Sequence, residues 1–155
     1  MGKKEYDPAM HTAEHILNQT MDRLFKCGRS FNAHIEKKKS KCDYRFPRPL
    51  TADEIMAVEA AVNRVIGENL PVSEAMVDRA EAERCYFTGK LPAEAGERIR
   101  IVTVGDYDAC PCIGRHVRST AEIPTFHIAT ASHENGILRI RFTLKSEAEA
   151  AKSYD

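Results

Sequence analysis

His11 and His15 stand four residues apart in the run His11-Thr12-Ala13-Glu14-His15. On an α-helix, side chains at that spacing lie one above the other, so both imidazoles can reach a single metal ion. In a chain with six histidines the pair alone is a weak signal. The metalloprotease pattern places Glu directly after the first His; Thr12 stands there instead, which sets that chemistry aside. A second group, Cys112-Ile113-Gly114-Arg115-His116, offers a thiolate and another imidazole, with Gly114 permitting a tight loop between them. Three imidazoles and one thiolate form a borderline-soft set that suits zinc better than magnesium or calcium. Spacing leaves two readings open, a zinc site or an ordinary loop with no metal. Cys110 competes with Cys112 as the thiol ligand. Cys27, Cys42 and Cys85 fall in apolar surroundings, where small buried residues are expected.

The elements that must position these groups follow from periodicity. Met10, Ala13, Leu17, Met21 and Leu24 repeat on one helical face, with Ile16 beside them, and predict a helix over residues 8–25. Asp7 caps it, Pro8 opens it and Cys27-Gly28 stops it. The two histidines lie beside this stripe, where ligands would sit at the rim of a cleft. Glu14 falls at the stripe's edge, either pointing inward or lying on the surface; inward, its carboxylate could hold an ammonium group or act as a base.

Residues 30–46 alternate in two stretches around Glu36-Lys37-Lys38-Lys39-Ser40 and read as a hairpin with a charged tip. Thr51 with Glu54 opens a second helix carrying Ile55, Val58, Val62, Val65 and Ile66, closed by Asn69-Leu70-Pro71. A strand over Val72–Val77, a short helix over Arg79–Arg84 and a strand over Glu97–Val104 follow. Cys110–Ser119 is too irregular for either period and reads as a loop. Strands over Ile123–Ala131 and Ile137–Leu144 are joined by Ser132–Gly136, and the tail from Glu147 is frayed or helical. The expectation is one α+β domain over residues 1–155, its core at about 8–145, with helices packed on a largely antiparallel sheet.

The chain has 155 residues, with 23 basic and 23 acidic side chains, so no global charge draws it to nucleic acid or membrane. A local basic patch would still suffice for RNA. Five cysteines show no disulfide rhythm, and no apolar run is long enough for a signal peptide or a span. Tyr6 stands where a myristoylation signal wants Ser or Thr. These features point to a reduced, cytoplasmic protein with no membrane partner.

The pairing of the His-x-x-x-His helix with a later Cys-x-x-x-His loop resembles the editing domain of alanyl-tRNA synthetase, its free-standing AlaX relatives and the related domain of threonyl-tRNA synthetase. His11–Leu17 is similar to that family's opening helix, and Cys42-Asp43-Tyr44-Arg45-Phe46 to its second hairpin strand. Leu50–Ile55, Val58–Asn63 and Asn69–Val72 are similar to its central helix and exit. Cys112–His116 with Val117 and Ser119–Ile123 resembles its signature loop. The match runs from about Pro8 to about Leu144. Two features depart from the family's usual pattern: Ile113-Gly114-Arg115 stands where its loops often carry Gly-Gly-Thr or Arg-Gly-Pro, and Glu14 where alanine-type domains often have Thr.

The resemblance implies the threonyl/alanyl editing-domain fold and an ATP-independent deacylation of mischarged tRNA that serves translation fidelity. It implies His11, His15, Cys112 and His116 as ligands of Zn2+ and as catalytic residues; Glu14, which stands where the family has Thr, joins the catalytic set on the inward reading of its carboxylate. The ion could polarise the ester, activate water or anchor the substrate. A metal-free variant would use a histidine as base, with Cys112 nearby. Serine or glycine on tRNA for alanine is the first substrate implied, and serine on tRNA for threonine the second. Arg115 and Arg118 flank the loop and are the nearest candidates for tRNA; Lys37, Lys38, Lys39 and Lys41, with Arg45 and Arg48, form the densest basic cluster. The chain would act in trans on the acceptor end, as a monomer or a homodimer. Two other classes stay open: a zinc-stabilised binding module without catalysis, and a hydrolase of some other ester or amide.

Overall fold

Asp7 and Pro8 begin the first helix as their chemistry requires. The Asp7 carboxylate accepts the Met10 amide at 3.0 Å, and Pro8, with no amide to satisfy, enters the first turn. The computed structural model describes residues 7–86 and 96–146. In it α1 spans Pro8–Phe25 and closes at Lys26, whose φ of 54° is left-handed. Thr51 and Glu54 cap α2 (Ala52–Gly67) reciprocally: the Glu54 amide donates to Thr51 Oγ1 at 3.1 Å and the Thr51 amide to Glu54 Oε1 at 2.9 Å.

The predicted hairpin is β1 (Asn32–His34) and β2 (Ser40–Arg45). β3 (Val72–Asp78), α3 (Arg79–Cys85) and β4 (Arg98–Val104) follow. β5 (Asp108–Pro111) then occupies part of the stretch read from sequence as a loop. Its partner lies on β4, where Val102 faces Cys110 and Val104 faces Asp108, a pairing no local period reveals. A 3-10 turn, Thr120–Glu122, precedes β6 (Thr125–Glu134) and β7 (Ile137–Lys145). The β6–β7 turn is shorter than predicted: Asn135 and Gly136, at φ 52° and 77°, form the whole of it, the signature of a tight primed hairpin turn.

Among the described residues all pairings between strands are antiparallel, but they build two sheets instead of the one expected. One runs β1-β2-β7-β6 and the other β3-β4-β5. Helices α1 and α2 cover one face of the larger sheet. Tyr44, Leu138, Ile140 and Phe142 from that face, Ile16, Leu17 and Met21 from α1, and Val58 and Val62 from α2 are wholly buried. Each such side chain contributes about 1.5–3 kcal/mol. A smaller core joins Ala82 of α3 to Ile99 and Ile101 of β4. Cys42 is buried as expected and Cys27 half-buried, but Cys85 is exposed at the end of α3; all five thiols are free. Among the described residues no helix is long and apolar enough to cross a membrane. The tail from Glu147 lies outside the described residues.

Candidate metal centre and active site

α1 carries His11, Glu14 and His15 within two turns, and the loop after β5 brings Cys112 and His116 against them. Cys112 Sγ lies 3.2 Å from His11 Nε2 and 3.3 Å from His116 Nε2. The His11 and His116 rings stack with centroids 4.1 Å apart, and His15 meets His116 edge-on at 4.5 Å. Both α1 histidines are buried, at 6% and 3% exposure, deeper than the cleft rim predicted for them.

The far side of each ring decides which nitrogen faces the cluster. His11 Nδ1 lies 3.2 Å from the Arg115 carbonyl, which can only accept, so Nδ1 carries a proton and Nε2 is the nitrogen turned to the cluster, the one a metal would take. Thr12 does the same for His116. Its hydroxyl donates to the Pro8 carbonyl at 3.0 Å, so toward His116 Nδ1, 2.9 Å away, and the Val117 amide it can only accept. His15 Nδ1 faces the Asp108 carboxylate at 3.6 Å, too long for a formed hydrogen bond, and is otherwise unpartnered. Asp108 is in turn held by Arg29 at 2.7 Å and by Gln19 at 3.0 Å.

One donor atom from each of His11, His15, Cys112 and His116 lies within 4.8 Å of the others. Around a tetrahedral zinc with bonds of about 2.0–2.3 Å, neighbouring donors stand about 3.3–3.6 Å apart, close to the two Cys112–imidazole distances. A carbonyl, a hydroxyl and a carboxylate behind the three rings are the supports that metal-bound histidines take. The donor set therefore fits a divalent, borderline-soft ion.

Electrostatics agree with a thiolate site. Burial raises the Cys112 thiol, but hydrogen bonds with His11, His116 and His15 and the charge on His15 outweigh it and bring the value down to about 3. Burial lowers His15, yet Asp108, Cys112 and Glu14 together raise it to about 9. His116 falls to about 4, through burial and its cationic neighbours against the pull of Cys112. Cys110 is not part of the converging set; burial, only partly offset by Arg29, pushes its thiol up to about 12.

Glu14 points inward. It is 7% exposed, its Oε1 lies 3.9 Å from both His11 Nε2 and His15 Nε2, and its Oε2 accepts from Asn18 at 2.8 Å. Asn18 Oδ1 also receives the Tyr44 hydroxyl and the Ser30 amide, each at 2.9 Å, so the carboxylate rests on a buried, satisfied network. The signature loop is pinned from β4, where Arg100 donates to the carbonyls of Cys112 at 3.1 Å and Gly114 at 2.7 Å. Beside His116 a cleft of about 370 Å³ opens between Val72, Glu74, Arg100, Val102, Val117 and Arg118.

Arg115 and Arg118 are exposed on the signature loop, Arg118 on the cleft. Lys37, Lys38 and Lys39 are exposed at the β1–β2 turn, and Lys41 is half-buried on β2, elements separate from the cluster. Thr12, Asn18, Arg29, Arg100 and Asp108 went unpredicted. Only Thr12, between the histidines on the same helix, carried a local hint.

Known proteins resemble this chain in sequence. The chain is 39% identical to the alanine–tRNA ligase of Aeropyrum pernix over 140 residues, 85% of this chain and 15% of that enzyme. It is 33% identical to the ligase of Cenarchaeum symbiosum over 139 residues, again 85% and 15%. With that of Ligilactobacillus salivarius it shares 31% over 140 residues, 89% and 16%. Residues 99–141 match the family described as the threonyl and alanyl tRNA synthetase second additional domain. Over those residues the chain is similar to this domain. The matched stretch holds Cys112 and His116 and begins within β4, while the ligase matches, at 85–89% of the chain, extend well beyond it. The chain spans about 15% of the length of these ligases.

Proposed function

We propose that this chain is a cytoplasmic hydrolase that removes a wrongly attached amino acid from tRNA, without ATP, by cleaving the ester to the terminal ribose. The observation that carries the reading is the convergence of His11, His15, Cys112 and His116 with an inward carboxylate, Glu14, in a relative of alanine–tRNA ligases. His11, His15, Cys112 and His116 would hold Zn2+, whose chemistry there is Lewis acidity or a fixed positive anchor. Four protein donors fill a tetrahedral site, which favours the anchor. Glu14 Oε1 is then the acceptor placed to take a proton from the attacking water or to hold the substrate's ammonium group, with Asn18 fixing its other oxygen. The cleft beside His116, with Arg118 on its wall, is the place for the acceptor end.

Serine or glycine on tRNA for alanine is the first candidate substrate; the similarity to alanine–tRNA ligases supports the choice of that tRNA. A buried carboxylate in the amino-acid site suits a small, polar substrate with a free ammonium group. Serine on tRNA for threonine is the second candidate.

The test is a deacylation panel: Ser- and Gly-tRNA for alanine, Ser-tRNA for threonine and the correctly charged forms, against wild type, His11→Ala, Cys112→Ala and His116→Ala. Selective hydrolysis of one mischarged species, lost in the variants, is expected. A folded, zinc-loaded protein that hydrolyses none would leave a binding module.

A further inference from the structure

On the outer face of the four-stranded sheet, the central strands β2 and β7 carry five cations against one acid, with Ile137 and Thr143 among them and Glu134 of β6 at one end. Side chains alternate across a strand, so the residues between Cys42, Tyr44, Leu138, Ile140 and Phe142, which enter the core, point the other way. On β2 these are Lys41, Asp43 and Arg45, and on β7 they are Arg139, Arg141 and Lys145, with Thr143 between the last two. The register sets Lys41 directly opposite Arg141 and Asp43 opposite Arg139. Like charges facing each other across a pair are destabilising, so Lys41 and Arg141 are not explained by sheet stability.

Asp43 is spoken for. Arg139 grips it at 2.8 and 3.0 Å and Asn32 at 3.2 Å, which holds its carboxylate below the usual range. No other acid shares these positions on β2 or β7. In a chain with equal numbers of acids and bases, the balance must lie elsewhere, and Asp53, Glu68 and Glu74 are exposed on α2, its end and β3. A second feature points to the ligand. Arg45 lies over the Phe31 ring, its guanidinium carbon 4.4 Å from the centroid, and Phe31 is 40% exposed, so a guanidinium covers one face of a partly exposed ring. Such a pair offers a base a surface to stack on.

We infer that this sheet face, with Lys41, Arg45, Arg141 and Lys145 as its cations and Phe31 as its aromatic edge, docks the phosphate backbone of RNA. The inference rests on the reading that the substrate is a transfer RNA, and it gives the chain a grip away from the cluster. The Lys37–Lys39 turn between β1 and β2 extends the same charge beyond the sheet. Phosphate contacts of this kind position RNA without reading its sequence.

The probe is fluorescently labelled, uncharged tRNA for alanine, titrated with the full chain at several salt concentrations. Wild type should bind with an affinity falling steeply with salt, about one unit of log–log slope per phosphate contact. The double variant Lys41→Glu/Arg141→Glu should bind at least tenfold more weakly and lose about two units of slope. Arg141→Gln, the milder change, should lose about one and guards against a folding defect, with thermal unfolding as control. Hydrolysis of a small aminoacyl ester should be unchanged in both variants. An unchanged affinity and slope in the folded variants would overturn the inference, as would binding to phosphatidylserine vesicles in preference to the tRNA. Salt-dependent tRNA binding with no deacylation would leave this face standing and overturn the hydrolase reading; deacylation with an unchanged slope would do the reverse.

Discussion

The Thr12 hydroxyl lies 2.9 Å from His116 Nδ1 and gives its own proton to the Pro8 carbonyl. A residue between two candidate ligands on α1 thus fixes the tautomer of a third ligand 104 positions away. Thr12→Val keeps the shape and removes the acceptor. Zinc affinity, measured by competition with a chromophoric chelator, should fall about 10- to 100-fold with little change in fold. Undiminished affinity would show that Thr12 does not orient the ring.

Cys112 should react as a thiolate in acid. In metal-free protein its value near 3 keeps it ionised, so alkylation by iodoacetamide should be flat from about pH 4 to pH 8. Cys110, pushed to about 12, should stay unlabelled, and zinc should protect Cys112. The sign for stability follows: a depressed folded value stabilises fully above the unfolded thiol's value, about 8.5, and that contribution is gone once the pH falls through 3. A rate rising tenfold per pH unit across neutrality would contradict the site's electrostatics.

Asp108 is the buried end of an ion pair with Arg29, their side chains 0% and 12% exposed. Burial raises the Asp108 carboxyl, but His15 and Arg29 outweigh it and the net direction is down. Asp108→Asn strands Arg29 and should lose about 3–5 kcal/mol in urea unfolding at neutral pH. Because the folded value is depressed, the contribution is complete above about pH 4 and vanishes as the pH falls through the lowered value. Wild type and variant should therefore converge in acid.

Glu14→Gln separates metal binding from chemistry. If the carboxylate is the base, kcat on the mischarged tRNA should drop about 10²–10⁴-fold while zinc content stays the same. A variant with normal kcat and a raised KM would assign Glu14 to holding the ammonium group instead.

Both major helices were legible to within a residue because their signals are local: Asp7 and Pro8, Thr51 and Glu54, and apolar stripes at helical spacing. The four converging donors were legible for the same reason, as two short spacings on separate elements. What sequence hid was partnership. Alternation marked most of the strands but could not say that β3, β4 and β5 would leave the larger sheet. Cys110 and Pro111 broke the pattern of a strand that only its contact with β4 defines. Asp108, Arg29 and Arg100 act across distances in sequence that no period records. Glu14 was ambiguous on the helical wheel, and its acceptance of Asn18 inside the fold settles it.

His11 and Cys112 are 101 residues apart along the chain and touch in the fold. An ion shared between them would close a loop of that length, a staple across most of the polypeptide. By the chain-entropy account of a comparable covalent link, such closure removes about 4–5 kcal/mol of freedom from the unfolded state. The centre is then a measure of the whole molecule's integrity: the donors separate when α1 leaves the body of the fold, so release of the ion and global unfolding should share one transition.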